Sequence, residues 1–141
     1  VIDLLRQWSR PYLFSNSLSP VIATTTVKAI ELITDSLVLI HKLRDNVKYF
    51  RSAISEAGFN IRPGDHPIIP IMIGEASAAK NMADQLLEEG IYVIGFSYPV
   101  VPKDTARIRI QISAAHEIAD LDQAVSAFKK VQARHMGLSE H

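Results

Sequence analysis

Cysteine is absent from the 141 residues. That removes a disulfide framework, a thiolate nucleophile and a thiolate metal site. Charge of one sign is also missing: fifteen basic residues balance fifteen acidic ones. No global field therefore draws the chain to nucleic acid or to an anionic membrane. No apolar run approaches the ~20 residues that cross a bilayer. The six glycines are scattered, and neither a phosphate-binding loop nor a dinucleotide fingerprint can be assembled from them. His41, His66, His116, His135 and His141 never fall in a ligand spacing, so no metal site is expected. No Ser-His-Asp grouping or carboxylate pair stands out, and no lysine has the apolar strand setting that would depress its pKa.

An initiator methionine is lacking as well. Val1 to Trp8 reads as a helix under way, with Leu4, Leu5 and Trp8 at helical spacing. Neither a signal nor a transit peptide has this form. The chain is expected to start inside a larger protein, in a cytoplasmic setting or a mitochondrial one in a eukaryote.

What is present is ordinary globular composition, 48% apolar and 21% charged, in a length that suits one core. Pro11 stops the first helix. Tyr12-Leu13-Phe14 is extended, and Ser15-Asn16-Ser17 is a loop of small uncharged polar residues before a Ser19-Pro20 helix start. Local sequence leaves two readings of that loop, a capped turn or an anion site. A helix over 20–33 should carry Ile22, Val27, Ala29, Ile30 and Ile33 on its apolar side. A second, over 37–57, should use Leu39, Ile40, Leu43, Val47, Phe50 and Ile54, closed by Gly58. Strands are expected at Phe59–Ile61, Ile68–Ile73 and Ile91–Ile94, with Pro70 marking an edge or a bulge. Helices follow over 76–89 and 117–136, and 95–102 reads as a loop rich in aromatics and proline. His116 suits a helix cap, and His66 a conformational role in its turn. The pattern is an α+β two-layer domain: a short, mostly antiparallel sheet with helices on one face, preceded by long helices.

The most informative stretch is Thr105 to Ser113. Ile108, Ile110 and Ile112 alternate strictly with Arg107, Arg109, Gln111 and Ser113, the period of a half-buried strand. Two planar guanidiniums then stand one pleat apart opposite the core. They could grip a carboxylate or phosphate, or form a solvated face.

Two segments carry a resemblance. Arg10-Pro11-Tyr12-Leu13-Phe14-Ser15-Asn16-Ser17-Leu18-Ser19-Pro20 and Gly95-Phe96-Ser97-Tyr98-Pro99-Val100-Val101-Pro102-Lys103-Asp104-Thr105-Ala106-Arg107-Ile108-Arg109 resemble the C-terminal part of the α-oxoamine synthases. These are pyridoxal 5'-phosphate (PLP) enzymes of the aspartate-aminotransferase fold that condense an amino acid with an acyl-CoA. The likeness runs from Val1 to about Gly137 and is nearest to the branch that takes glycine and acetyl-CoA. It implies the small C-terminal domain of a fold-type-I PLP enzyme over residues 20–141. Residues 1–19 would be the segment leading in from a larger PLP domain.

By the same resemblance, Arg109 binds the substrate carboxylate. Ser15 and Asn16 reach the PLP phosphate across a homodimer interface, and the Tyr98–Pro102 loop lies near the substrate entrance. Arg107 has no comparable role and is read as structural. The family's Schiff-base lysine, and the residues flanking the cofactor ring, would lie upstream of Val1. No catalytic residue is thus expected in these 141 residues, and the chain alone is expected not to turn over. The rival reading is a stand-alone α+β module that binds a small carboxylate without catalysis. It would need neither PLP nor a further domain.

Overall fold

The computed structural model describes residues 1–10 and 18–135. Ser15 and Asn16 lie outside the described residues. The chain divides into two compact units, Val1–Leu37 and Val38–His141.

The first unit contains α1 (Ile2–Trp8) and α2 (Pro20–Asp35). Ser19 precedes α2 with Pro20 at its first turn, but the serine side chain makes no cap hydrogen bond. The apolar side expected of α2 is present in sequence and uncovered in the structure: Ile22, Val27, Ile30 and Ile33 are all more than half exposed. No residue of α1 or α2 is buried. The hydroxyls of Thr24, Thr25, Thr26 and Thr34 each donate at 2.8 Å to the carbonyl four residues earlier. The helix thereby satisfies its own polar side chains.

The second unit holds α3 (Val38–Glu56), β1 (Ile68–Gly74), α4 (Ala76–Glu88), β2 (Ile94–Phe96), β3 (Ala106–Gln111) and α5 (Ile118–His135). The sheet order is β1-β3-β2, antiparallel throughout. The arginine-bearing strand is therefore central, paired on both sides. Pro70 sits in the edge strand β1, where its missing N–H faces no partner strand, and a register shift falls between Met72 and Gly74. Of the two alternatives expected at Pro70, the edge is found; the irregularity falls further along the strand.

Alternation along β3 sorts its side chains cleanly: Ala106, Ile108 and Ile110 are buried, whereas Arg107 is half-buried and Arg109 and Gln111 exposed. Ile69 and Ile71 from β1 join the buried row, and Val47, Phe50 and Ile54 from α3, Met82 and Leu86 from α4, and Leu121, Val125, Phe128 and Val131 from α5 cover it. Phe59 meets Phe128 edge to face, with centroids 5.3 Å apart. The sheet thus has one face under helices and one face carrying the arginines.

Several expected boundaries move. The strand expected over Phe59–Ile61 reduces to a single bridge between Ile61 and Ile71. Phe59 instead follows the left-handed Gly58 (φ 87°) as a buried anchor for α3. The strand expected at Ile91–Ile94 lies at Ile94–Phe96. Ile91 donates its N–H to Leu86 at 2.8 Å, closing the end of α4 rather than entering the sheet. Leu39, expected on an apolar helix face, is exposed. His116 caps a turn rather than a helix, its Nδ1 accepting from the Ser113 N–H at 3.2 Å. The N–H of Glu117 at the start of α5 donates to Asp120 instead.

Two carboxylates fix helix ends. Glu75 caps α4 by accepting from the N–H groups of Ser77 and Ala78, each at 2.9 Å. These bonds, with the Ser77 hydroxyl first among them, hold its carboxyl below the usual range. Glu89, just past α4, accepts from Lys130 (2.8 Å) and Arg134 (2.7 Å) of α5. The Lys130 hydrogen bond leads in lowering its pKa.

Candidate functional site

Two antiparallel pairings build the site on the open face of the sheet. Arg109 is directly opposite Pro70 on one side and Ile94 on the other, and Arg107 opposite Met72 and Phe96. Residues across a ladder share a face, so Pro70, Phe96, Arg107 and Arg109 all look away from the helices. They line an open groove of about 440 Å³ with His66, Ile68, Val100 and Val101.

The two arginines differ in what they touch. Arg107 Nε donates to the Thr105 carbonyl at 3.3 Å, and a terminal nitrogen lies 3.5 Å from the Thr105 hydroxyl. Among the described residues, the Arg109 guanidinium has no hydrogen bond and no ion pair. Its central carbon lies over the Phe96 ring, 4.4 Å from the centroid. A guanidinium's five donors lie in its plane, so contact through a face leaves them available.

The loop over 97–105 holds itself in shape beside this groove. Val100 and Val101 donate their N–H groups to the Ser97 carbonyl (2.9 and 3.2 Å), and Thr105 donates its hydroxyl to Pro102 at 2.7 Å. Tyr98-Pro99 is a cis peptide, and Asp104 is left-handed at φ 60°. The exposed Tyr98 ring carries the Lys103 ammonium 5.5 Å from its centroid. Only Val100 and Val101 of this loop reach the groove.

At the opposite edge, His66 Nδ1 accepts from the Ile68 N–H at 3.0 Å, which fixes the conformation of the turn entering β1. Arg51 clamps the same turn to α3 by donating to the carbonyls of Arg62 (2.8 Å) and His66 (3.1 Å). Gly95 sets the height of β2: a Cβ there would stand 3.2 Å from the Ala79 carbonyl oxygen of α4. A larger residue would press this strand away from the helix backbone.

Sequence reasoning placed Arg107 and Arg109 on one face, and the structure does too. It did not identify Phe96, which fell in an expected loop, nor Pro70 and His66 as groove residues. The signal for Phe96 was available only through register: a strand antiparallel to β3 that places Phe96 opposite Arg107 puts its ring beside Arg109.

A central strand with one guanidinium free of hydrogen bonds among the described residues, an aromatic shelf and an apolar groove make up the open face of the sheet. The chain belongs to the aminotransferase class I and II family, which residues 1–128 match. It is similar to the mitochondrial 2-amino-3-ketobutyrate coenzyme A ligase of Mus musculus: 49% identical over 138 residues, 98% of this chain and 33% of that protein. The 2-amino-3-ketobutyrate coenzyme A ligase of Escherichia coli (strain K12) is 49% identical over 131 residues, 93% of this chain and 33% of that protein. Among solved structures, a serine palmitoyltransferase from S. paucimobilis, with a bound PLP–myriocin aldimine, superposes with a TM-score of 0.84 at 25% identity. That match covers 97% of this chain and 35% of that one. The resemblance to α-oxoamine synthases carried by residues 10–20 and 95–109 therefore extends over nearly the whole chain. The chain spans about a third of the length of the relatives it matches. Among the described residues, no helix is long and apolar enough to cross a membrane.

Proposed function

We propose that this chain is the C-terminal part of a PLP-dependent glycine C-acetyltransferase (2-amino-3-ketobutyrate CoA ligase). The intact protein condenses glycine with acetyl-CoA to 2-amino-3-oxobutyrate and CoA. The observation that carries the reading is Arg109: a guanidinium on the central strand, facing an open groove, with no anionic partner among the described residues. The similarity to ligases of that name, at 49% identity, supports glycine and acetyl-CoA as the substrates.

A bare guanidinium beside an apolar groove fits the carboxylate of an amino acid held at a cofactor better than it fits the cofactor itself. Bound PLP supplies the electron sink that lets a proton leave the amino-acid Cα. Arg109 grips the carboxylate in bidentate fashion, which fixes the amino acid at one end and sets the direction of its Cα–H bond. Ile68, Pro70, Val100 and Val101 wall the groove with apolar surface, which strengthens the ion pair by limiting water around it. Arg107 stays with Thr105 and shapes the start of β3. Ser15 and Asn16 reach the PLP phosphate, from the neighbouring subunit of a homodimer that shares its active sites. Residues 1–19 lead in from the cofactor-binding part, and residues 20–141 form the smaller part that carries Arg109.

Substituting Arg109→Leu in the intact protein tests the reading. The glycine KM should rise steeply, or turnover should be lost, with the acetyl-CoA KM and the thermal midpoint unchanged. Unchanged glycine kinetics would sink the carboxylate role.

A further inference from the structure

The Phe96 ring is half-buried, lies on the open face of the sheet, and takes no part in the core beneath it. Its ring lies against the one guanidinium of β3 that makes no hydrogen bond among the described residues. We propose that Phe96 is a positioning residue for Arg109: its ring orients the guanidinium for the substrate carboxylate without consuming a donor. The inference rests on the carboxylate role of Arg109.

An arginine side chain has several rotatable bonds, and an exposed one loses entropy when it grips a ligand. A ring against the guanidinium face restricts that freedom before the ligand arrives, through the attraction of a cation for the ring quadrupole. A hydrogen-bonding partner would restrict it too, but would occupy donors that the carboxylate needs, which is the condition of Arg107. The backbone holds the shelf in place from both sides. Phe96 pairs with Arg107 in the ladder, one pleat from Arg109, and the neighbouring Gly95 lets β2 settle against the Ala79 carbonyl of α4. Ring and guanidinium are thus carried by adjacent strands paired in one ladder.

The test uses the intact protein and four variants: Phe96→Leu, Phe96→Tyr, Arg109→Leu and the Phe96→Leu/Arg109→Leu pair. Loss of a cation–π contact at a partly exposed site should raise the glycine KM about fivefold in Phe96→Leu, with kcat, the acetyl-CoA KM and the thermal midpoint unchanged. Phe96→Tyr, which keeps the ring, should restore the wild-type glycine KM. In the Arg109→Leu background, Phe96→Leu should add nothing. If Phe96→Leu does not fold, Phe96→Met fills similar volume without a ring and gives the same comparison.

The inference is overturned if the glycine KM is unmoved by the Leu variant while Arg109→Leu raises it. It is equally overturned if the Phe96 and Arg109 effects simply add, or if Phe96→Tyr fails to rescue. If Arg109→Leu itself leaves glycine kinetics unchanged, the carboxylate reading falls first and this inference with it.

Discussion

Arg107 and Arg109 stand one pleat apart on the same face of β3, and among the described residues only Arg107 of the two donates side-chain hydrogen bonds, to Thr105. Identical side chains on one strand thus have different surroundings. Replacing Arg107 with Gln should leave the glycine KM close to wild type. It should lower stability by about 1 kcal/mol or less, since the two bonds are long. Steady-state kinetics alongside thermal unfolding check both halves. A glycine KM that rises as far as in Arg109→Leu would show that the two guanidiniums act together.

Gly95→Ala should destabilise the sheet edge. The new methyl would meet the Ala79 carbonyl oxygen at 3.2 Å, and a helix backbone has little room to give. Overpacking of this kind costs about 1–3 kcal/mol. Because Phe96 is the next residue, the same change should raise the glycine KM as the ring moves. A fully stable variant with wild-type kinetics would mean that α4 and β2 are free to separate.

Among the described residues, Asn46 is the one buried polar side chain, 4% exposed. Its Nδ2 donates to the carbonyls of Ser113 (3.0 Å) and His116 (2.8 Å), tying α3 to the turn that leaves β3. Asn46→Leu should cost about 2 kcal/mol, from two lost bonds at ~1 kcal/mol each. Asn46→Asp should cost more at neutral pH, because a carboxylate would face two carbonyl oxygens, and part of that loss should be recovered in acid as the group protonates. Equal midpoints for the Asp and Asn proteins at pH 7 would remove the two-bond account.

The Glu89 pairing with Lys130 and Arg134 gives a pH dependence of known sign. The carboxyl titrates lower in the folded protein than in the unfolded chain. Its contribution is therefore fully present above the ordinary carboxylate range and is lost as pH falls through the lowered folded value. Thermal midpoints of the wild type and Glu89→Gln should differ at pH 7 and converge in strong acid. Added salt should narrow the difference at pH 7. A gap that persists unchanged to pH 2 would exclude the ion pairs as its source.

The sequence made some of these relationships legible and hid others, for definite reasons. Strict alternation from Ile108 to Ile112 leaves one possible arrangement of faces, so the arginine face of β3 was readable outright. The helix end at Gly58 was equally clear, left-handed in the structure (φ 87°). Periodicity could not say where α2 would find cover, and its apolar residues are exposed in the structure. Phe96 was hidden because a three-residue strand has too few alternations to register as a period. The Ile91–Ile94 run misled for the opposite reason. It has strand composition, but Ile91 closes α4 and only Ile94 joins the sheet. Pro70 was correctly placed at an edge, yet its position opposite Arg109 depends on register, which composition does not encode.

The three-stranded order places Arg109 and Arg107 in the middle and the remaining strand residues of the groove on the flanks. Ile68 and Pro70 belong to one outer strand and Phe96 to the other. The central strand is held by two ladders, while Ile68 and Pro70 lie on an edge strand. If Arg109 takes the carboxylate and Phe96 positions it, selectivity for side-chain size can drift through Ile68, Pro70 and the 100–101 loop while carboxylate recognition stays constant. A library confined to positions 68, 70, 100 and 101 is accordingly the economical way to retune this groove.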